Sequence, residues 1–137
     1  MSPKSKQDQQ RDQLQRAERL LSTIDILEES IRQIKEGGEL APSGCYVARY
    51  QARGYKKAYW YYKLQASTPI FPKVKRPDQL SRYLHLGAAG SPGHVNAVLQ
   101  VVRRVQVDEL QKAIDSLRES WVDLYSDKEE KKKKNQE

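Results

Sequence analysis

The 137-residue sequence predicts an α+β fold, in which an antiparallel, coiled-coil-like hairpin of two long helices carries an inserted three-stranded antiparallel β-meander. Two stretches with apolar residues at helical spacing predict the helices. Between them the apolar period shortens to that of a strand, and Tyr, Trp and Val become frequent. Only 37% of the residues are apolar and 31% are charged, so we expect a thin core that self-association completes.

The first predicted helix covers residues 8–36 and ends at Gly37-Gly38. Leu14 and Leu21 widen its apolar seam on one side. Because a two-helix hairpin would leave these leucines exposed to solvent, we expect a homodimer in which the helices of two copies pack together. The seam itself consists of Ala17, Leu20, Ile24, Leu27, Ile31 and Ile34.

The middle of the chain predicts a β-hairpin followed by a third strand. The hairpin strands cover residues 45–51 and 57–65, with Arg53 and Gly54 in the turn between them. The third strand covers residues 81–86. The connection, residues 66–80, contains three prolines and cannot form regular structure for long.

The second predicted helix begins at Ser91-Pro92, a serine cap followed by a proline that the first turn tolerates. A change of phase between Val105 and Val107 predicts a stutter. Residues 8–125 are expected to form one domain, between a disordered N-terminus (1–7) and a disordered charged tail (126–137). The predicted seam consists of Val95, Val98, Val102, Val105, Leu110, Ile114, Leu117, Trp121 and Leu124.

The net charge of +7 comes entirely from the middle of the chain. Between Ala41 and His94, nine basic residues accompany a single acid, Asp78. The same segment holds seven of the eight tyrosines together with Trp60 and Phe71. Clustered cations attract phosphates and aromatic rings stack on bases, so this segment predicts a nucleic-acid-binding surface.

Strand alternation assigns roles within that segment. On the second strand Trp60, Tyr62 and Leu64 share a face that we expect to join the core, together with Leu84 and Leu86. The opposite face alternates cations and tyrosines, which would bind phosphates and stack on bases or sugars. The basic turn would enter a groove or follow a phosphate track. The predicted binding residues are Arg49, Arg53, Lys56, Lys57, Tyr59, Tyr61, Lys63, Lys73, Lys75, Arg76, Arg82 and His85.

The sequence predicts no enzyme, metal site or cofactor. Cys45, His85 and His94 show no paired metal-ligand spacing, and neither histidine has a recognisable nucleophile partner. A phosphate-binding loop of the Walker type is missing as well. With one cysteine, no membrane-length apolar run and no secretory signal, we expect a cytoplasmic protein, associated with the nucleoid if prokaryotic.

Three short segments, Gly44–Arg49, Tyr59–Tyr62 and Arg82–Gly87, precede a charged helix that contains Arg103-Arg104. This arrangement resembles a group of short uncharacterised prokaryotic proteins, in which a YYYL-like strand and an R-Y-L/I-x-L-G-like strand lie between helices. Some of them accompany mobile elements. The likeness covers about residues 44–120, although this chain lacks the cysteine-containing strand loop of some members. The resemblance implies a DNA-associated role and supplies no catalytic residues.

We therefore expect non-catalytic nucleic-acid binding in a regulatory or architectural role, with DNA favoured over RNA. An alternative is a coiled-coil adaptor or assembly protein whose basic tip docks on an acidic protein partner. A third is a dimeric regulator whose two tips bind operator half-sites. The cation–tyrosine pattern also fits a plain exposed sheet, because tyrosines form strands well and lysines keep a sheet soluble.

Overall fold

A computed structural model describes residues 5–136, with side chains described for residues 5–126. It confirms the predicted class, two helices with an antiparallel three-stranded sheet between them. The chain divides into a helical unit, formed by residues up to Gln33 and from Val107 onward, and a sheet unit, Ile34–Gln106. The elements are α1 (Lys6–Gly37), β1 (Tyr46–Gly54), β2 (Lys57–Gln65), β3 (Phe71–Pro72), β4 (Leu80–Ser81), β5 (Tyr83–Ala88) and α2 (Pro92–Gln136).

In the helical unit, α1 and α2 run antiparallel. The Gln13 side chain donates a hydrogen bond to the Leu124 carbonyl oxygen (2.6 Å), and Arg118 pairs with Glu28 (2.9 Å). The predicted α1 seam and the second half of the α2 seam face inward. Their most buried members are Ala17, Ile24 and Ile114.

The predicted disorder of residues 1–7 and 126–137 falls mostly outside the residues whose side chains are described, and it stays a prediction. Over the part of the chain that the structure does describe, no helix is long and apolar enough to cross a membrane.

The sheet has the order β1-β2-β5, with every pair antiparallel. The hairpin turn consists of Tyr55 and Lys56, and Gly54 pairs with Lys57. The predicted turn at Arg53 and Gly54 was therefore wrong, because β1 continues through both residues. Lys56 has a positive φ of 68°, so a lysine supplies the left-handed conformation that usually selects glycine.

The proline-rich connection forms a small ribbon that the sequence did not predict. Phe71 pairs with Ser81 and Pro72 with Leu80, giving two strands of two residues each. Backbone hydrogen bonds close the loop beyond them, including one from the Lys73 N–H to the carbonyl oxygen of Gln79 (2.9 Å). The ribbon is short, as the prolines require, and it places a basic loop beside the main sheet.

The core of the sheet unit is small. The buried cluster is formed by Cys45, Leu64, Ala66 and Phe71, with Val47, Leu86 and Val101 packed against it. Burial raises the pKa of the Cys45 thiol, and the positive charge of Arg104 opposes that shift. Cys45 is therefore a buried member of the core of the sheet unit.

The first half of the α2 seam was predicted on the wrong side of the helix. Ala97 is buried and Val101 packs against the core cluster. The chain that follows α1 lies along this helix, where the Ala41 N–H bonds to the Gln100 carbonyl (3.0 Å) and Arg104 donates to the Ala41 carbonyl (2.7 Å). Both sides of this segment are apolar, so periodicity alone could not choose between them. The exposed valines are Val95, Val98, Val102 and Val105.

The predicted cap of α2 is confirmed and also joins the helix to β5. The Ser91 hydroxyl accepts a hydrogen bond from the His94 N–H (3.2 Å) and donates one to the Leu86 carbonyl oxygen (3.0 Å). A side chain at Gly93 would overlap that same carbonyl oxygen. Only glycine therefore allows this close approach of helix and strand.

Candidate nucleic-acid interface

The strand register places the predicted binding residues on two opposite faces of the sheet. Directly paired residues share a face, so Tyr50 lies with Tyr61, and Lys63 lies with His85. We call this side the tyrosine–lysine face. Its aromatic and cationic residues are Tyr46, Tyr50, Lys57, Tyr59, Tyr61, Lys63, Tyr83 and His85.

The aromatic side chains of this face form a continuous cluster. The rings of Tyr50 and Tyr61 stack with centroids 6.0 Å apart and planes at 28°, and Tyr59 lies 6.5 Å from Tyr61. Tyr50 also contacts β5, because its hydroxyl and His85 Nδ1 are hydrogen-bonded at 3.1 Å. The cluster therefore links all three strands of the sheet.

Small residues on β1 make room for these rings. Ala48, Ala52 and Gly54 lie on the same face as the large residues of β2. A Cβ at Gly54 would lie 2.8 Å from the Tyr59 ring, so the ring packs directly against the strand backbone. Small residues on one strand and tyrosines on the next produce a broad aromatic surface, which suits stacking on bases or sugars.

Lys63 lies between two tyrosines at the centre of this face. Its Nζ is 4.1 Å from the ring centroid of Tyr83 and 5.5 Å from that of Tyr50. The three main strands contain no carboxylate side chain. Among the described residues, no ion pair joins an acid to a cation of this face. Within residues 5–126, the positive charges of Lys63 and Lys57 therefore have no acidic ion-pair partner.

Two of the predicted binding residues lie on the opposite face of the sheet. Arg49 pairs with Tyr62 and Arg53 with Ala58, so neither shares a face with Tyr59 or Tyr61. The Arg49 guanidinium lies 4.2 Å from the ring centroid of Trp60 in a cation–π contact. This opposite face carries cations too, but it lacks the tyrosine cluster.

The prediction that Trp60 belongs to the core was wrong, because Trp60 is 44% exposed. The helix covers only the last part of β2, where Tyr62 stacks on His94 with centroids 3.6 Å apart and Leu64 is 2% exposed. The first four residues of β2 are all exposed. A nine-residue strand spans roughly 30 Å at about 3.3 Å per residue, which is much longer than one helix is wide.

Leu84 was likewise predicted in the core and is 42% exposed. It pairs with Leu64, but it lies on the edge strand β5, where no further strand covers it. Leu86 does pack against the core, as predicted.

The remaining predicted binding residues lie at the hairpin tip, in the loop between β3 and β4, or just before β5. Lys56 is at the hairpin tip beside Tyr55, which is 90% exposed. Lys73 and Lys75 belong to the loop between β3 and β4 and line a cleft together with Tyr83 and His85. Arg76 is in the same loop, and Arg82 is exposed just before β5.

Sequence reasoning missed Tyr46, Tyr50 and Tyr83 as binding candidates. Tyr50 lies in β1 opposite Tyr61, and Tyr83 lies at the start of β5 beneath the Lys63 ammonium. The alternation that pairs Tyr83 with His85 was visible in the sequence. Whether these residues share a face with Tyr59 and Tyr61 depends on the strand register, which only the structure provides.

Comparisons with protein-family models, curated proteins and solved structures found no match for this chain. In the described part of the chain, no three His, Cys, Asp or Glu side chains are grouped so that they could hold a metal ion.

Proposed function

We propose that this protein is a non-catalytic nucleic-acid-binding protein that holds single strands on its tyrosine–lysine face. The observation that carries the proposal is the placement of five tyrosines, two lysines and a histidine on one side of a sheet without a carboxylate. Lysines neutralise phosphates, and aromatic rings stack on bases whatever their sequence. A surface that only keeps a sheet soluble needs cations, but it does not need a joined set of tyrosine rings.

The partly exposed rings favour single strands over duplexes. Tyr59 is 45% exposed and Tyr83 41%, and both lie at the surface of the face. In a duplex the faces of the bases are stacked on each other, whereas a single strand can turn its bases onto aromatic side chains.

Fluorescence-anisotropy titration of labelled single-stranded DNA, duplex DNA and single-stranded RNA at several salt concentrations tests this proposal. We expect tighter binding to single strands and a steep loss of affinity with salt. Absence of binding to every ligand at low salt would overturn the proposal and favour an acidic protein partner. Preference for the duplex would overturn the single-strand assignment.

The two faces of the sheet provide a matched pair of variants. The double change Lys57→Ala and Lys63→Ala removes two charges from the tyrosine–lysine face, and Arg49→Ala with Arg53→Ala removes two from the opposite face. We expect the lysine variant to reduce the slope of log K against log salt by roughly 1.4, at about 0.7 per lost phosphate contact on a single strand. The arginine variant should leave most of the slope intact. Equal reductions by both variants would contradict the assignment to one face.

We also propose that a second copy of the chain covers an apolar groove in the helical unit. The groove has a volume of about 460 Å³ and is lined by Leu21, Ile24, Trp121 and Val122, with Leu21 48% and Val122 59% exposed. Arg118 and the acids Asp25 and Glu28 also line it. A two-fold axis allows the Arg118 of each copy to face an acid of the other copy. The few buried side chains of the helical unit also favour further burial by a partner.

Sedimentation equilibrium tests this dimer. Leu21→Glu and Val122→Glu each place a charge in the groove, and each should weaken self-association at least about tenfold because an unpaired charge is costly to bury. Ile26→Glu is the control, because Ile26 is 64% exposed on α1 and does not line the groove. A monomeric wild-type protein, or equal weakening by all three variants, would contradict the proposal.

A further inference from the structure

A cleft beside the tyrosine–lysine face has the size and chemistry of a nucleotide site. It has a volume of about 390 Å³ and lies between the loop that joins β3 to β4 and the start of β5. This volume falls within the range of about 300–1,000 Å³ that is typical of small-ligand sites. The cleft is open to solvent along the loop, where Val74 is 94% exposed.

The walls of the cleft combine three kinds of groups. Tyr83 and His85 provide aromatic rings, Val74 and neighbouring residues provide aliphatic surface, and Lys73 and Lys75 provide two ammonium groups. No acid lines it. Flat aromatic and aliphatic walls favour a planar ring, and the two lysines favour a negatively charged group attached to it.

The cleft is continuous with the tyrosine–lysine face. Tyr83 and His85 belong to both, since Lys63 Nζ lies over the Tyr83 ring and His85 bonds to the Tyr50 hydroxyl. A strand that follows the tyrosines across the sheet therefore reaches the cleft without leaving the aromatic surface. The edge position of β5 leaves this side free of any further strand.

We propose that the cleft holds one unstacked base of a single-stranded nucleic acid bound along the tyrosine–lysine face. The base stacks on Tyr83, and the adjoining phosphates are neutralised by Lys73 and Lys75. This inference rests on the proposed function and adds to it a defined position for one nucleotide. It gives the basic loop, which lies off the face, a direct part in binding.

Photo-crosslinking with oligothymidylate that carries 5-iodouracil tests the cleft. Irradiation of the wild-type complex, followed by mass spectrometry of the peptides, should identify Tyr83 as a crosslinked residue. Tyr83→Leu should weaken binding by about 5- to 150-fold, as expected for the loss of one base–aromatic stack. A crosslink pattern without Tyr83, together with unchanged affinity of Tyr83→Leu, would overturn the cleft while leaving the proposed function intact.

Two further variants test the cleft without replacing Tyr83, so that a folding defect of Tyr83→Leu does not decide the outcome. Lys73→Gln combined with Lys75→Gln changes only exposed loop residues, and it should reduce both affinity and the yield of the Tyr83 crosslink. Tyr59→Leu changes the same face away from the cleft, so it should weaken binding but retain that crosslink. Loss of the Tyr83 crosslink in Tyr59→Leu alone would contradict the cleft. Failure of the wild-type protein to bind the oligonucleotide would overturn both proposals.

Discussion

Replacing Leu64 with alanine is expected to lower the free energy of unfolding by about 2–5 kcal/mol, the usual range for a fully buried leucine. Leu64 is 2% exposed and lies in β2, the central strand of the sheet. Its side chain packs in the cluster with Cys45, Ala66 and Phe71. Truncation leaves a cavity that this small core has few neighbouring side chains to fill. Urea denaturation followed by circular dichroism measures the loss.

Leu99→Ala is the matched control for this prediction. It makes the same chemical change in α2 at a side chain that is 51% exposed, and alanine is also a good helix former. We expect a change within about 0.5 kcal/mol, as is usual for surface positions. Equal destabilisation by both variants would show that Leu64 is not part of the core that fixes the sheet.

Removing the two stacked rings of Tyr50 and Tyr61 is expected to cause the largest loss of nucleic-acid affinity. Each base–aromatic stack contributes about 1–3 kcal/mol, so each lost ring corresponds to a weakening of about 5- to 150-fold. Leucine replaces both tyrosines in this variant, which retains apolar side chains on the strands. Anisotropy titration with single-stranded DNA measures the dissociation constants.

The opposite face supplies the control for the tyrosine variant. Trp60→Leu removes a larger exposed aromatic ring from β2, together with its contact to Arg49. We expect its affinity to remain within about threefold of wild type, because the ring does not belong to the proposed binding face. Weakening by Trp60→Leu as large as that of the tyrosine variant would place the binding surface elsewhere on the sheet.

The secondary structure was largely predictable from apolar spacing. The α1 seam, the second half of the α2 seam and all three main strands follow from the sequence. The buried side of the first half of α2 was not predictable in the same way, because both of its sides are apolar. The segment around Ala41, which packs along this part of the helix, determines which side is buried. The ribbon of β3 and β4 was not predicted, because the prolines of this segment argue against regular structure. Phe71, which lies in β3, is buried.

The composition of the tyrosine–lysine face was only half predictable, because it depends on the strand register that the hairpin turn sets. Alternation along β2 correctly joined Lys57, Tyr59, Tyr61 and Lys63. A turn between residues 51 and 57 would pair Arg49 with Tyr59, whereas the actual two-residue turn pairs Arg49 with Tyr62. A shift by an odd number of residues moves every side chain of β1 to the other face. Alternation along β2 alone therefore could not show that Tyr50 joins this face or that Arg49 and Arg53 lie on the opposite one.

An NMR titration of the isotope-labelled protein with single-stranded oligothymidylate is the decisive experiment, because it reports binding and its location together. We expect the largest chemical-shift changes at Tyr50, Tyr61, Lys63 and His85, extending to Tyr83. Changes centred on Arg49 and Trp60, or an unchanged spectrum at low salt, would contradict the assignment of the tyrosine–lysine face as a nucleic-acid-binding surface.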